Sequence, residues 1–238
     1  MNVARRSVEL VPAKWRAIVF DAYGTLFDVH SVVRTGSSGI VGDVEELSRL
    51  WRQKQLELTW LRALMERYED FWHLTEAALH SAVRQFSIKA TDAQLQHLMH
   101  SYLAPVAFAD VRRAIEAEAL TEIPLAILSN GSPKMLYSAV RNNELESCFA
   151  EIISVDRVKT YKPSPRVYAL GPEILQVPAA EILFVSSNSW DTAGAKAFGY
   201  QVCWCNRSQA EMDHLGFDPD LTVRRLDQIA GRFSGLEQ

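Results

Sequence analysis

Cysteine is scarce in this chain, with three in 238 residues, at positions 148, 203 and 205. An odd count excludes a closed disulfide framework, and Cys203-x-Cys205 has no second pair with which to build a structural zinc site. The three read as reduced core residues, as expected of a cytoplasmic protein. Net positive charge is also missing: 25 Lys and Arg against 29 Asp and Glu leave a balance of -4. That balance excludes an electrostatic hold on nucleic acid or on an anionic membrane surface. No apolar run approaches the roughly 18 residues that a membrane-spanning helix needs. The opening MNVARRSVELVPAKW has an Arg pair with no apolar stretch behind it, so it does not read as a secretory leader, and its first fourteen residues read as a tail. Internal repeats and low-complexity tracts are absent too, which leaves a globular chain whose partners are small molecules.

What is present is an ordinary globular composition, 48% hydrophobic and 23% charged, in a chain long enough for one large domain or a core with an insertion. Short apolar runs of buried-strand length lie at Ala17 to Phe20, Leu125 to Leu128, Ile152 to Val155, Ile182 to Val185 and Gln201 to Cys205. Helical stretches at Pro133 to Asn142, Pro165 to Leu175 and Trp190 to Phe198 fall between the later ones. Alternation of this kind predicts a doubly wound parallel α/β sheet. The interval 29–104 differs, with helical patterns and no convincing strand. Asp43 and Glu46 read as a capping box, and Leu47, Leu50, Trp51, Leu58, Leu61, Met65 and Tyr68 then recur at helical spacing. Thr35 to Gly39 reads as a loop. The expected organisation is an α/β core of residues 15–28 and 105–234, with a helical cap at 29–104 inserted after the first strand. His97 and His100 sit three apart on a predicted helix, with no carboxylate or cysteine spaced to complete a metal site.

In an open parallel sheet, ligands bind beyond the carboxyl ends of the strands. Three apolar runs end there in polar clusters: Asp21, then Ser129-Asn130-Gly131-Ser132, then Ser186-Ser187-Asn188 with Asp191. Strand ends are commonly polar because loops are solvated, but three clusters of hydroxyl, amide and acid groups at one sheet edge define a candidate site. Asp21 stands where the chain leaves the first strand, and Gly24 permits a tight turn that aims N–H groups at an anion. A carboxylate in a dry, oriented site is a nucleophile.

The stretches FDAYGTLFDVHSV, AILSNGSP, VKTYKPSPRVYAL and ILFVSSNSWDTAGAKAFGY resemble the four motifs of the haloacid dehalogenase superfamily. In that pattern a strand ends in the nucleophilic Asp, another in Ser or Thr, a Lys follows, and an acidic loop closes the set. WRQKQLELTWLRAL in the insertion and SSNSWD in the last loop are similar to the L-2-haloacid dehalogenases in particular. The resemblance runs from about Trp15 to Phe233. Phosphatases of the superfamily keep a general acid two residues after the nucleophile and a metal-binding acid in the last loop; here those positions hold Tyr23 and Ser187. A phosphate dianion attacked by a carboxylate needs a metal to offset repulsion and an acid to protonate the leaving oxygen, whereas a haloacid monoanion losing halide needs neither.

The resemblance therefore implies hydrolysis of L-2-haloalkanoic acids to D-2-hydroxy acids through an ester on Asp21, without metal or cofactor. It assigns catalytic roles to Asp21, Thr25, Arg52, Lys162, Ser186, Asn188 and Asp191. Arg52 with Asn130 and the edge of Phe71 would take the halide, while Ser129 and the N–H groups of Ala22 and Tyr23 would hold the carboxylate. Tyr23, Gln53, Leu56, Phe71 and Trp190 would wall the pocket, and Tyr168 would join the hydrogen-bond network. Periodicity alone leaves Arg52 one of several arginines on its helix and Phe71 and Trp190 core aromatics. Two other readings stay open on the residues: a metal-dependent phosphatase, and a non-catalytic domain that accepts phosphate on Asp21. A homodimer is implied by the family and by Trp51 and Trp60, although both tryptophans suit the inside of a monomer equally well.

Overall fold

The computed structural model describes residues 15–86, 88–117 and 123–232; the N-terminal tail expected over the first fourteen residues lies outside them, as do Phe233 and position 234. Strand β1 (Ala17–Phe20) is wholly buried and lies mid-sheet, which is why four apolar residues run together without alternation. It pairs on one side with β4 (Leu125–Ser129) and on the other with β6 (Ile182–Ser186). The six strands run in the order β5 (Glu151–Ser154), β4, β1, β6, β7 (Gln201–Cys205) and β8 (Leu221–Val223), every pairing parallel. Chain order proceeds outward from β1 in both directions, so the crevice between β1 and β6 is the topological switch point of a doubly wound sheet. Phe20 lies opposite Ile127 and Val185, which brings the carboxyl ends of all three central strands level.

Helices fill the interval between two short antiparallel strands, β2 (Phe27–Asp28) and β3 (Val106–Ala107). They are α1 (Ser31–Gly36), α2 (Val44–Leu64), α3 (Phe71–Gln85) and α4 (Asp92–Ser101), and they form a helical cap. The loop expected from Thr35 starts later, because α1 absorbs Thr35 and Gly36; the Thr35 hydroxyl bonds back to the Ser31 carbonyl at 2.9 Å. Asp43 does cap α2, its side chain accepting from the Glu46 N–H at 3.0 Å, but Glu46 pairs with Arg49 at 2.7 Å. The reciprocal box occurs at Thr91 and Gln94, opening α4. Leu47, Leu50 and Trp51 are buried as their spacing predicts, whereas Leu61 and Met65 are exposed with Leu64, which is 82% exposed. Both histidines noted above lie on α4; His100 bonds the Gln96 carbonyl at 2.8 Å and packs edge-on against Trp72.

Both legs joining core to cap are held by one side chain from the loop after β7. The Arg207 guanidinium donates to the Thr25 carbonyl on the outgoing leg at 2.9 Å. It also pairs with Asp110 at 2.9 and 3.0 Å and lies 4.0 Å over the Phe108 ring on the returning leg.

The helix expected over Pro165 to Leu175 is two, α7 (Pro165–Tyr168) and α8 (Leu170–Leu175), after α5 (Val111–Ile115) and α6 (Pro133–Asn142). Pro172 has no N–H for the Tyr168 carbonyl, and the Tyr200 hydroxyl donates to it instead at 2.7 Å. The strand expected at Ile152 to Val155 sits one residue earlier, because Ser154 pairs with Ser129 and Val155 already begins a tight turn. Helix α9 (Ser189–Phe198) leaves the switch point. Among the described residues no helix is long and apolar enough to cross a membrane.

Candidate active site

Asp21 is the first residue beyond β1, its N–H still bonded to the Val185 carbonyl at 2.9 Å. The chain then turns sharply: the Ala22 carbonyl accepts from Leu26 and Phe27, and Gly24, at φ 93°, donates to the Phe27 carbonyl at 2.7 Å. A positive φ suits glycine there, since a side chain would strain the turn. The turn's own bonds use the N–H groups of Gly24, Thr25, Leu26 and Phe27 and not those of Ala22 and Tyr23.

Asp21 is only 6% exposed, and both oxygens of its carboxylate accept hydrogen bonds. One oxygen accepts from Lys162 Nζ at 3.1 Å; the other accepts from Thr25 Oγ1 at 3.0 Å and Asn188 Nδ2 at 2.9 Å. Lys162, 1% exposed, also reaches Asp191 at 3.0 Å, so one ammonium lies between two carboxylates. Its backbone N–H donates to the Asn130 carboxamide oxygen at 3.0 Å, leaving the Asn130 NH2 group as an uncommitted donor among the described residues. Asp191, in the first turn of α9, takes a further bond from the Tyr168 hydroxyl at 2.7 Å. Burial holds the Asp191 carboxyl above the ordinary carboxylate range; Lys162 draws it back down and the charge of Asp21 pushes it up. Tyr168 is itself pushed well up, first by burial and then by Asp191, and stays a neutral donor. Thr25 Oγ1 accepts from the Ser187 N–H at 2.8 Å and Ser186 Oγ from the Asn188 N–H at 3.1 Å, so the β6 loop is fastened to the β1 turn. Ser129, at the end of β4, is buried and accepts from the Gly131 N–H at 3.2 Å.

The cap contributes the other wall. Arg52 on α2 donates through Nη2 to the Tyr23 carbonyl at 3.2 Å and through Nη1 to Gln55 Oε1 at 2.7 Å. Tyr23 is buried with its ring centroid 5.6 Å from Tyr102 and 6.0 Å from Phe71; burial pushes its phenol well above the ordinary range, so it is neutral. A side chain at Gly131 would lie 2.8 Å from that ring, so Tyr23 requires a glycine across from it. Trp190 packs edge-on against Trp60 at 5.5 Å, and Trp51 against Tyr102 at 5.2 Å. Both tryptophans weighed as subunit contacts thus pack within the chain. Tyr68 stacks on Tyr161 at 5.2 Å, and their hydroxyls reach across to Asp156 and to the Glu69 carbonyl, tying cap to core.

Asp21, Thr25, Ser129, Asn130, Lys162, Tyr168, Ser186, Asn188 and Asp191 therefore converge at the switch point, with Arg52 and Phe71 arriving from the cap. Tyr168 stands behind Asp191, its hydroxyl already spent there, rather than in a pocket wall. Gln53 does not join them: it is exposed, and its side chain makes no hydrogen bond among the described residues. Successive helical residues lie about 100° apart, so Gln55 and Leu56, three and four on from Arg52, share its face and Gln53 does not. Gln55, which the sequence did not single out, is wholly buried. Among the described residues no group of three His, Cys, Asp or Glu side chains is placed to hold a metal.

Residues 15–199 match the model of the haloacid dehalogenase-like hydrolases. The chain is 46% identical to haloacetate dehalogenase H-2 of Moraxella sp. (strain B), over 91% of this chain and 96% of that one. It is 43% identical to (S)-2-haloacid dehalogenase H-109 of Pseudomonas putida, over 90% and 95%. It belongs to the L-2-haloacid dehalogenases. Members of this family are hydrolases of carbon–halide bonds, and this chain is an enzyme of that class. Among solved structures, the L-2-haloacid dehalogenase of Xanthobacter autotrophicus with chloropropionic acid covalently bound superposes with a TM-score of 0.85. It is 36% identical, over 93% of this chain and 99% of that one.

Proposed function

We propose that this dehalogenase converts L-2-haloalkanoic acids to D-2-hydroxy acids, with Asp21 as nucleophile and Arg52 as acceptor of the halide. The observation that carries the reading is the Tyr23 peptide: Arg52, which has no carboxylate partner among the described residues, reaches its carbonyl two residues beyond the buried carboxylate of Asp21. An ionised nucleophile and an unbalanced guanidinium at one turn suit a displacement that starts with charge on an oxygen and ends with charge on a halide.

Asp21 attacks C2 opposite the halogen, giving an ester and free halide, and C2 inverts once. The halide is met by Arg52, the Asn130 NH2 group and the edge of Phe71. Ser129 and the N–H groups of Ala22 and Tyr23 hold the substrate carboxylate; Tyr23, Leu56, Phe71 and Trp190 line the apolar side. Holding C2 in line is worth on the order of 7–11 kcal/mol of the barrier. Water then attacks the Asp21 carboxyl carbon, positioned by Ser186 and Asn188 and deprotonated by Asp191, and Thr25 steadies the ester. Lys162 pairs with Asp21 across the buried site, and with a monoanionic substrate and a leaving group that needs no proton, no metal or cofactor is required. The covalently bound chloropropionic acid in the Xanthobacter relative supports the ester step. A homodimer, with the exposed Leu61, Leu64 and Met65 as its apolar contact, and a cytoplasmic location complete the proposal.

A single turnover in heavy-oxygen water tests the ester: the label is expected first in the Asp21 carboxylate, and its direct arrival in product alone sinks the mechanism. Chloride release from L- but not D-2-chloropropionate, undiminished by chelator, tests substrate and metal independence. Magnesium-dependent phosphate release in its place identifies a phosphatase.

A further inference from the structure

The arginines along α2 are not in equivalent settings. Arg49 pairs with Glu46 and Arg62 with Glu69, while Arg52 has only neutral partners, Gln55, the Tyr23 carbonyl and the Tyr102 hydroxyl. We infer that Gln55 is a positioning residue that aims the Arg52 guanidinium and, being uncharged, leaves its positive charge unspent for the departing halide. The inference rests on the halide role given to Arg52 above.

The directions of the hydrogen bonds define what position 55 must be. Gln55 Oε1 accepts from Arg52 Nη1 at 2.7 Å and from the Tyr102 hydroxyl at 3.0 Å. Its Nε2 donates to Thr75 Oγ1 at 2.6 Å, and that hydroxyl donates onward to the Phe71 carbonyl, also at 2.6 Å. Arg52 can only donate, and the Thr75 proton is already committed, so the side chain needs an acceptor end toward α2 and Tyr102 and a donor end toward α3. Glutamine has both. Glutamate would set two oxygens there, lose the bond to Thr75 and place a carboxylate against the guanidinium, cancelling the charge meant for the halide. Methionine, similar in reach, supplies neither end. Complete burial keeps water from substituting for either partner. Of the five guanidinium N–H groups, one goes to Gln55 and one to the Tyr23 carbonyl, and the neutral Tyr102 hydroxyl also lies against Arg52, which leaves at least two for an anion. Through Thr75 the same amide reaches the backbone of Phe71, so one residue braces both cap groups assigned to the halide.

The test measures chloride release from L-2-chloropropionate, and its inhibition by added bromide, in Gln55→Glu, Gln55→Met and Arg52→Ala. Folding is checked by circular dichroism and thermal melting. Because the substrate carboxylate is held from the core side, KM is expected to stay within about 3-fold in the Gln55 variants. Expected kcat losses are on the order of 100-fold for Gln55→Glu and about 10-fold for Gln55→Met, with the bromide inhibition constant rising at least several-fold in both. Should Gln55→Glu fail to fold, Gln55→Met carries the test. Unchanged kcat and bromide inhibition in a folded Gln55→Met overturn the inference. So does a loss of kcat with bromide inhibition intact, which marks a merely structural residue. Arg52→Ala separates the two claims: bromide inhibition surviving there removes the halide reading itself, whereas normal Gln55 variants beside a defective Arg52→Ala remove only Gln55.

Discussion

The two halves of the site treat charge in opposite ways. On the core side Asp21, Lys162 and Asp191 form an alternating row at 3.1 and 3.0 Å, all buried, with one ammonium shared between two carboxylates. On the cap side Arg52 is met by neutral groups, an amide, a peptide carbonyl and the Tyr102 hydroxyl. A nucleophile in a dry pocket stays ionised only if an opposite charge compensates for the lost water. A group that must receive a departing anion serves better with its charge unmatched beforehand. Pairing both halves, or leaving both bare, would disable one end of the proposed reaction.

The harshest way to break the contrast is Lys162→Met, which leaves the carboxylates of Asp21 and Asp191 facing each other without a cation. Turnover should fall by at least about 10⁴-fold and stability by about 3–5 kcal/mol, read by halide release and urea unfolding; near-normal activity would disprove the pairing role. Next is Arg52→Lys, which keeps the charge but loses the planar fork that bonds Gln55 and Tyr23. A loss of about 10²–10³ in kcat is expected, and a loss under threefold would mean that charge alone suffices. The pH profile sharpens the core side. Asp191 is raised, so the folded protein keeps its proton above the usual value of about 3.9. Stability contributed by this group is then greatest at low pH and declines as pH rises through that window. In urea unfolding, the wild type should therefore lose stability relative to Asp191→Asn as the pH rises above about 4, and a gain would contradict the assignment. Smallest is Asp43→Ala at the start of α2. It should lower stability by about 1 kcal/mol through the lost cap and leave kcat unchanged, so a change in kcat would show that the whole helix transmits to Arg52.

The core half was legible in the sequence because its physics is local. Fully buried parallel strands read as unbroken apolar runs, and polar residues straight after them fall at one sheet edge; β1, β6 and β7 follow from that rule. The same rule is blind to β2 and β3, two residues each, and to the short edge strand β8. Apolar spacing located α2, but the exposure of Leu61 and Met65 was beyond it, since periodicity records a face and not what covers that face. The site roles of Arg52 and Phe71 came from family resemblance rather than from spacing. Gln55 escaped both routes: a buried glutamine carries no pattern, and only the donors arranged around it reveal its part.

The position of Lys162 between two acids gives the proposed reaction a sense of time. While Asp21 is an anion it competes for the ammonium and discourages charge on Asp191. Once Asp21 becomes a neutral ester, the competitor disappears and Lys162 belongs to Asp191 alone. Asp191 is therefore held most firmly as an anion during the interval in which the incoming water has a proton to lose. The nucleophile, by being consumed, sets the charge state of the group that regenerates it.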